Sequence, residues 1–423
     1  MTVRHDVRLA PLTRADADAV VELDQWAFAY DEADLDPGPA LDALEWDRIT
    51  GAWLPGPDGV EVLAGMCGVY TLRMALPHVG TPLPLQRVAG LTWVGVHPQH
   101  RRRGVMTALL HDHLRGVAAA GVEPLSVLFA AEPAIYGRFG YGLATQALTM
   151  TLPRGAALRA VPGTDGVTIT YERIDIARHA DLLADLLERA APARAGTMAR
   201  DSVGLRRYAW EDQPRLRRGR ESLRVALAHR DGGLVGYAVF ARETTWGAGG
   251  PEGTVHVREL LGLDAAAEAA LWGRLADLDL TTTVDTGRRP VDDRLLHLLL
   301  DSRAARPALV DCQFVRVVDL PAALALRRYS CPVDVVLEVR DELLPANAGR
   351  WRLVGGPDGA ACTPTGDEAG VVLDVRELGA AYLGGTSLAA LAAAGLVTGD
   401  PHAIAGASAA FTTTLAPAGT WIF

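Results

Sequence analysis

The segment Val88–Leu110, VAGLTWVGVHPQHRRRGVMTALL, constrains the fold more than any other stretch of the chain. An apolar, β-rich run closes at Val94-Gly95-Val96, and a polar turn, His97-Pro98-Gln99-His100, breaks it. After Arg101-Arg102-Arg103-Gly104 a helix-forming run begins, with apolar residues at Val105, Leu109 and Leu110. The pattern predicts a strand, a loop and a helix in succession. The arginines and Gly104 then stand where the helix starts. A helix start carries unpaired N–H groups and a partial positive charge, so it suits an anion. Three guanidinium groups beside a glycine that lets backbone approach make a diphosphate the natural guest. The competing reading is a basic turn that caps a surface helix.

Composition narrows the chemistry. The chain has no lysine, so all 41 residues in the Lys+Arg count are arginine. A phosphate-binding P-loop and a pyridoxal phosphate Schiff base both need lysine, and neither fits. Cys67, Cys312, Cys331 and Cys362 are scattered without a CxxC. They are predicted to be free thiols, neither zinc ligands nor a disulfide framework. His111 and His113 lie two apart on the predicted helix and face different sides; they read as solvated, and no metal site is predicted. The 423 residues, 49% apolar and 22% charged, give ordinary globular composition with length for about three domains. No apolar run reaches the roughly 18 residues of a membrane span, and MTVRHDVRL does not read as a signal peptide. The expectation is a cytoplasmic protein with no membrane partner. A net charge of −10 disfavours nucleic acid and suits a cationic substrate. The basic run Arg215–Arg220 lacks interleaved aromatics and reads as a solvated loop.

Along the chain, Thr13 with Asp16 resembles a capping box opening an amphipathic helix to about Phe28. Tyr30 to Trp46 is acidic and turn-rich, with Glu32, Asp34 and Asp36 among its carboxylates. It reads as a solvated loop or as a rim attracting ammonium groups. Strands over 59–66, 68–74, 88–96, 124–130 and 145–152 build a first unit, 1–152. A Pro-, Gly- and Ala-rich linker opens a second unit, 153–312. That unit repeats the order, with a helix over 174–190, a hairpin around Asp231-Gly232-Gly233, a strand over 253–261 and a helix over 265–275. Glu259-Leu260-Leu261-Gly262-Leu263-Asp264 replaces the arginine–glycine turn, so this copy is predicted to be degenerate. A third unit, 313–423, opens with a strand over 314–318 and continues with strands and small-residue helices. The chain ends Trp421-Ile422-Phe423. Chain ends usually fray, but burying these side chains stabilises by roughly 1.5–3 kcal/mol each, which predicts a docked end.

Arg101 and Gly104 match the acetyl-CoA motif R/Q-x-x-G-x-G/A of the GNAT superfamily of N-acetyltransferases, which this segment resembles. Met106 stands where Gly or Ala is usual. Tyr136-Gly137-Arg138-Phe139-Gly140-Tyr141 looks like the second motif of the superfamily. The series HRRRG, IYGRFGYG, a degenerate second unit, CTPT (Cys362–Thr365), YLGG (Tyr382–Gly385) and a terminal Phe is similar to the Eis family, named for enhanced intracellular survival. The similarity covers essentially the whole chain. It implies an α/β (α+β) fold of tandem GNAT domains, the second degenerate, followed by a sterol-carrier-protein-like domain. It also implies a homohexamer that acetylates amines of aminoglycosides and related cationic small molecules from acetyl-CoA, without metal. Two other readings stay open: acetylation of peptide or protein lysine, and a non-catalytic CoA- or lipid-binding protein.

The residues themselves point to parts of a site. The strand end Trp93–Val96 offers backbone groups beside a pantetheine arm, and Arg102 to Thr107 offer amides and guanidinium to a diphosphate. Tyr136 is the candidate acid and Tyr141 its competitor. The resemblance implies cofactor positions at Val94, Gly95, Val96, Arg102, Arg103, Gly104, Val105, Met106, Thr107, Ala131 and Glu132. It implies Tyr136 as general acid, and the terminal carboxylate of Phe423 as general base, reached by threading the tail into the N-terminal site. Phe28, Trp46 and Trp93 become pocket walls. Tyr30 stands where the family pattern leads one to expect a carboxylate, and Ile422 where relatives can carry an acidic residue.

Overall fold

Residues 7–31, 37–56, 58–419 and 421–423 are described by a computed structural model. Its first sheet takes strands β1 (Arg8–Pro11), β2 (Ile49–Pro55), β3 (Glu61–Met74), β4 (Gln86–Val96), β5 (Leu125–Phe129) and β6 (Gly142–Leu143). Where two strands were expected over 59–74 there is one. Gly68 does not break it; the register against β4 slips there instead. Strand β2 escaped the sequence reading and pairs antiparallel with both β1 and β3. The expected helix is present as α1 (Ala17–Phe28), preceded by the capping box, in which Thr13 N donates to Asp16 Oδ2 at 2.8 Å. The short α2 (Gly38–Ala43) follows, and α3 (Val105–Ala120) packs on β2, β3 and β4.

The second sheet contains β7 (Gln146–Pro153), β8 (Thr168–Arg173), β9 (Arg224–Arg230) and β10 (Gly233–Glu243). A two-residue hairpin, β11 (Trp246–Gly247) with β12 (Gly250–Pro251), stands outside it. Strands β13 (Gly253–Gly262), β14 (Thr281–Pro290) and β15 (Ala308–Asp311) complete the sheet, in the order β15-β7-β14-β13-β10-β9-β8.

Two strands lie on the far side of where the sequence put them. β7, read as closing the first unit, pairs with β14 and β15 in the second sheet. β16 (Gln313–Val317), read as opening the third unit, lies between β5 and β6, giving the order β1-β2-β3-β4-β5-β16-β6. Alternating apolar residues identify a strand but not its partner. The outer edge of β5 needs a partner of its own length, which the two residues of β6 do not supply.

The third unit is a five-stranded sheet, Gly359–Pro364, Gly349–Gly356, Val333–Arg340, Val371–Asp374 and Thr398–Gly399 in that order, with four α-helices among the described residues. Its helix Val375–Tyr382 presses on β16 and β6. A Cβ on Gly379 would stand 2.3 Å from Val315 O, and one on Gly142 2.0 Å from Arg376 O, so only glycine permits this approach. Buried Arg316 joins the units: it donates to both oxygens of Asp341 at 2.7 and 2.8 Å and to Phe139 O at 2.8 Å. Among the described residues no helix is long and apolar enough to cross a membrane.

Candidate active site

Strands β4 and β5 run parallel but are joined only at Ala89 with Ser126 and Gly90 with Val127. Beyond Gly90 they diverge, leaving the β5-facing backbone groups of Leu91–Val96 without a strand partner. On the other side of β4 the register with β3 slips, and Trp93 takes the left-handed conformation at φ 52. An aromatic residue held there costs about 1–3 kcal/mol, the kind of strain that collects at functional sites. The bulge re-aims the end of the strand. The result is a cleft of about 1000 Å³ whose wall includes Trp93–Val96.

At its mouth the chain turns through Pro98–His100 and enters α3 at Gly104, in the left-handed region at φ 84. Gly104 has no side-chain cap, and a Cβ added there would meet nothing within 4 Å. The opening of α3 is therefore clear for a ligand, and its amides fit a diphosphate. Val105 is buried and anchors the turn, since a Cβ on Gly65 would stand 2.6 Å from its methyl group. Arg102, Gly104 and Thr107 are exposed. Arg103 instead turns inward, with Nη1 3.0 Å from His100 Nδ1. Val94, Gly95, Val96, Met106, Ala131 and Glu132 all line the cleft.

Tyr136 lies in the 3-10 turn Pro133–Phe139 and faces the cleft, 8% exposed. Burial pushes its phenol up to about 12, helped by Cys67 and Glu132. Tyr141 is not a cleft residue. Its hydroxyl meets Ser126 Oγ at 2.7 Å, and Ser126 also meets His113 Nε2 at 2.9 Å. His113, expected to be solvated, is therefore a buried core group, and burial pushes it down to about 3. Sequence alone left the two tyrosines competing. The structure commits one hydroxyl to the core and turns the other toward the cleft.

The chain end is docked, as its apolar residues predict. Ala418 N donates to Ala195 O at 2.9 Å, and Cys312 Sγ to Gly419 O at 2.5 Å. Trp421 covers the guanidinium of Arg200, 4.9 Å from its ring, and Trp210 covers the same group at 4.5 Å. Arg200 is held in place by Glu259, at 2.8 and 3.1 Å. The Phe423 ring fills the fork between β4 and β5. It lies 5.3 Å from Phe129, edge to face, and a Cβ on Gly90 would come 3.1 Å from it. Phe423 and Tyr136 line the same cleft.

Of the wall candidates, Phe28 and Trp93 line the cleft and Trp46 does not. Trp46 packs on the core under the guanidinium of Arg14, 5.8 Å away. Glu32, Asp34 and Asp36 of the expected acidic rim lie outside the described residues. The sequence reading missed Asp24, hidden in the middle of an amphipathic helix. It is buried in the cleft wall and accepts from Tyr30 Oη at 2.6 Å. Desolvation raises its carboxyl to about 6, against the lowering effect of the Tyr30 bond. Arg258 and Arg288, from the second unit, were missed as well. Nothing in their sequence neighbourhood marks them, because the fold alone brings the second sheet to this cleft.

Comparison with known proteins agrees with this architecture. Family models described as acetyltransferase (GNAT) domain match residues 8–144 and 196–317, and one described as sterol carrier protein domain matches 320–418. An uncharacterized N-acetyltransferase of Streptomyces avermitilis is 42% identical over 414 residues, 94% of this chain and 97% of the relative. N-acetyltransferase Eis of Mycobacterium tuberculosis is 34% identical over 366 residues, 84% of each chain. The crystal structure of Eis1 from Mycobacterium abscessus superposes with a TM-score of 0.82 at 32% identity, over 99% of this chain and 100% of that one.

Proposed function

The chain belongs to the Eis-type N-acetyltransferases, enzymes with two GNAT domains and a sterol-carrier-like domain, and from that premise we propose that it transfers acetyl from acetyl-CoA to an amine of a small molecule in the Tyr136–Phe423 cleft. Aminoglycosides are the first class to test. One observation carries the reading: a phenol, the docked chain end and the bulged strand converge on one cleft with an open helix start at its mouth.

Acetyl-CoA, when bound, supplies an activated acetyl group on a thioester. The amides at the start of α3, with Arg102, hold its diphosphate, and Val94–Val96, Ala131 and Glu132 flank its arm. Tyr136, raised to about 12, stays protonated through the working range and donates a hydrogen bond toward the sulfur. Full proton transfer to a thiolate of pKa near 8.5 is uphill by roughly 5 kcal/mol, so hydrogen-bond donation is the larger part of its role. The α-carboxylate of Phe423 orients the amine and takes its proton. As a carboxylate it is a weak base for an alkylammonium near pKa 10.4, so it acts best on amines acidified by neighbouring charge. The same reading carries a homohexamer, which light scattering on the purified protein checks.

Tyr136→Phe is expected to lower kcat about a hundredfold with little change in acetyl-CoA affinity. Among the described residues the Tyr136 hydroxyl has no hydrogen-bond partner that the substitution would strand, so the melting temperature stays near that of the parent. Steady-state kinetics with calorimetric CoA titration reads both, and an unchanged kcat would remove Tyr136 from the acid role.

Asp24 gives a prediction with a sign. Its carboxyl is raised from 3.8 to about 6, so the folded state binds the proton more tightly than the unfolded state between those values. Stability therefore falls as pH rises through that window. Asp24→Asn keeps an acceptor for Tyr30 and removes the buried charge. It is expected to gain on the order of 1 kcal/mol at pH 7.5 and to raise KM for cationic amines. In the parent enzyme the same KM rises as pH falls below about 6. Thermal melts and Michaelis curves across pH test both.

A further inference from the structure

The second GNAT unit repeats the diverging strands of the first. β13 and β14 run parallel from Gly253 with Thr281 to His256 with Asp285 and then separate. Gly287, at φ 64, marks the separation: a Cβ there would meet Val257 O at 2.6 Å, and the register of β14 against β7 slips between Asp285 and Arg288. In the first unit this fork opens onto the arginine–glycine turn; here that turn is missing and Glu259 is tied to Arg200. What the second fork presents to the shared cleft is Arg258 from β13 and Arg288 from β14.

Both side chains are open to solvent, and among the described residues neither has a carboxylate within ion-pair distance. The one hydrogen bond of Arg258 goes to the carbonyl of Glu211 at 3.3 Å. Asp311 lines the cleft too but does not pair with Arg288. Tyr208 lies between the two signs: Asp24 raises its burial-raised phenol and Arg258 lowers it. The cleft is thus bipolar, with Asp24 and the chain end on the first-unit side and, on the second, Arg258 and Arg288 beside Asp311 and a Glu259 already paired with Arg200. A molecule carrying only positive charge meets repulsion at one of its two ends.

We propose that the amine acetylated here is carried by a molecule with an oxyanionic group, carboxylate or phosphate ester, at its other end, and that Arg258 and Arg288 bind that group. This rests on the acetyl-transfer reading above and narrows its substrate class. Guanidinium forks match planar carboxylates and phosphates with paired hydrogen bonds, and the second unit, having lost its diphosphate turn, keeps a role as the anion-reading wall.

The test uses the full chain and a series of hexyl amines alike except at the far end: ammonium, carboxamide, carboxylate and phosphate ester. Turnover is followed by release of free CoA, and binding to the CoA complex by calorimetry. The parent is expected to favour the carboxylate or the phosphate member over the diamine by about tenfold or more in kcat/KM and in affinity, with the two anionic members telling the sources apart. Arg258→Gln with Arg288→Gln is expected to erase that preference. Equal or better use of the diamine by the parent overturns the proposal, as does a preference that survives the double substitution. A fall in CoA affinity in the variant also overturns it, because the arginines would then serve the diphosphate. Acetylation of an aminoglycoside without any anion preference sinks the inference and leaves acetyl transfer standing. Arginine-dependent binding of the anionic amines with no acetylation supports the inference and sinks the transfer reading.

Discussion

Deleting Phe423 is expected to reduce acetyl transfer about a thousandfold while acetyl-CoA still binds. The ring is held against Phe129, Tyr70 and the open space over Gly90, which fixes where its carboxylate stands. Without it the chain ends at Ile422, which is 46% exposed and has no such seat. A general base contributes about 10²–10⁴-fold, and the misplaced end loses both the base and the wall of the fork. Phe423→Ala separates these contributions: the carboxylate remains but its anchor is gone, so the loss is smaller and an added bulky alcohol or amine in the fork does not restore the rate. Single-turnover kinetics with calorimetric CoA binding reads the difference. A normal rate from the shortened chain removes the tail from the mechanism.

Asp341→Ala is expected to destabilise the fold by about 3–5 kcal/mol. Arg316 is fully buried, with both Asp341 oxygens as its counter-charge, and removing them leaves a guanidinium in the interior with only carbonyls. The amides of Leu343 and Leu344 also lose their acceptor, and Asn347 Nδ2 keeps only the carbonyls of Val317 and Val318. Replacing Arg316 and Asp341 together by apolar residues is expected to cost less, because no charge is then stranded. Urea melts of the single and double variants make the comparison. Arg316 also holds Phe139 O, three residues from Tyr136 in the same turn. The Asp341 variant should therefore lose activity before it unfolds.

The local structure around Val88–Leu110 was legible because its apolar period changes from two to near four across a polar turn, and both periods reflect one-sided burial. The tail was legible for the same reason, though only in part: Phe423 is buried and Trp421 half-buried, while Ile422 between them stays in water. The glycines of Tyr136–Tyr141 were read as a motif, but their physical purpose needed the structure. A Cβ on Gly137 would stand 2.9 Å from the Arg376 guanidinium, and one on Gly140 2.7 Å from Arg316 Nε, both groups arriving from distant sequence. Asp24, Arg258 and Arg288 were illegible because their significance lies in facing a common space, which no spacing along one element encodes. Trp46 misled for the converse reason. An aromatic near the right helix is equally suited to a cleft wall or to the core, and here the core holds it. The degenerate second unit was legible in what it lacks, the arginine–glycine turn, and not in what its fork has gained.

The exchange of β7 and β16 between sheets has a consequence for how the protein is made. The strand that completes the first sheet beside β5 is translated only after the whole second unit has been synthesised. Roughly 180 residues separate the two, a wait of about 10–40 s at ordinary elongation rates. Through that interval the nascent first sheet has an apolar edge with nothing to cover it. The catalytic half cannot mature ahead of its neighbour, and the newborn chain is a natural client for chaperones until β16 arrives.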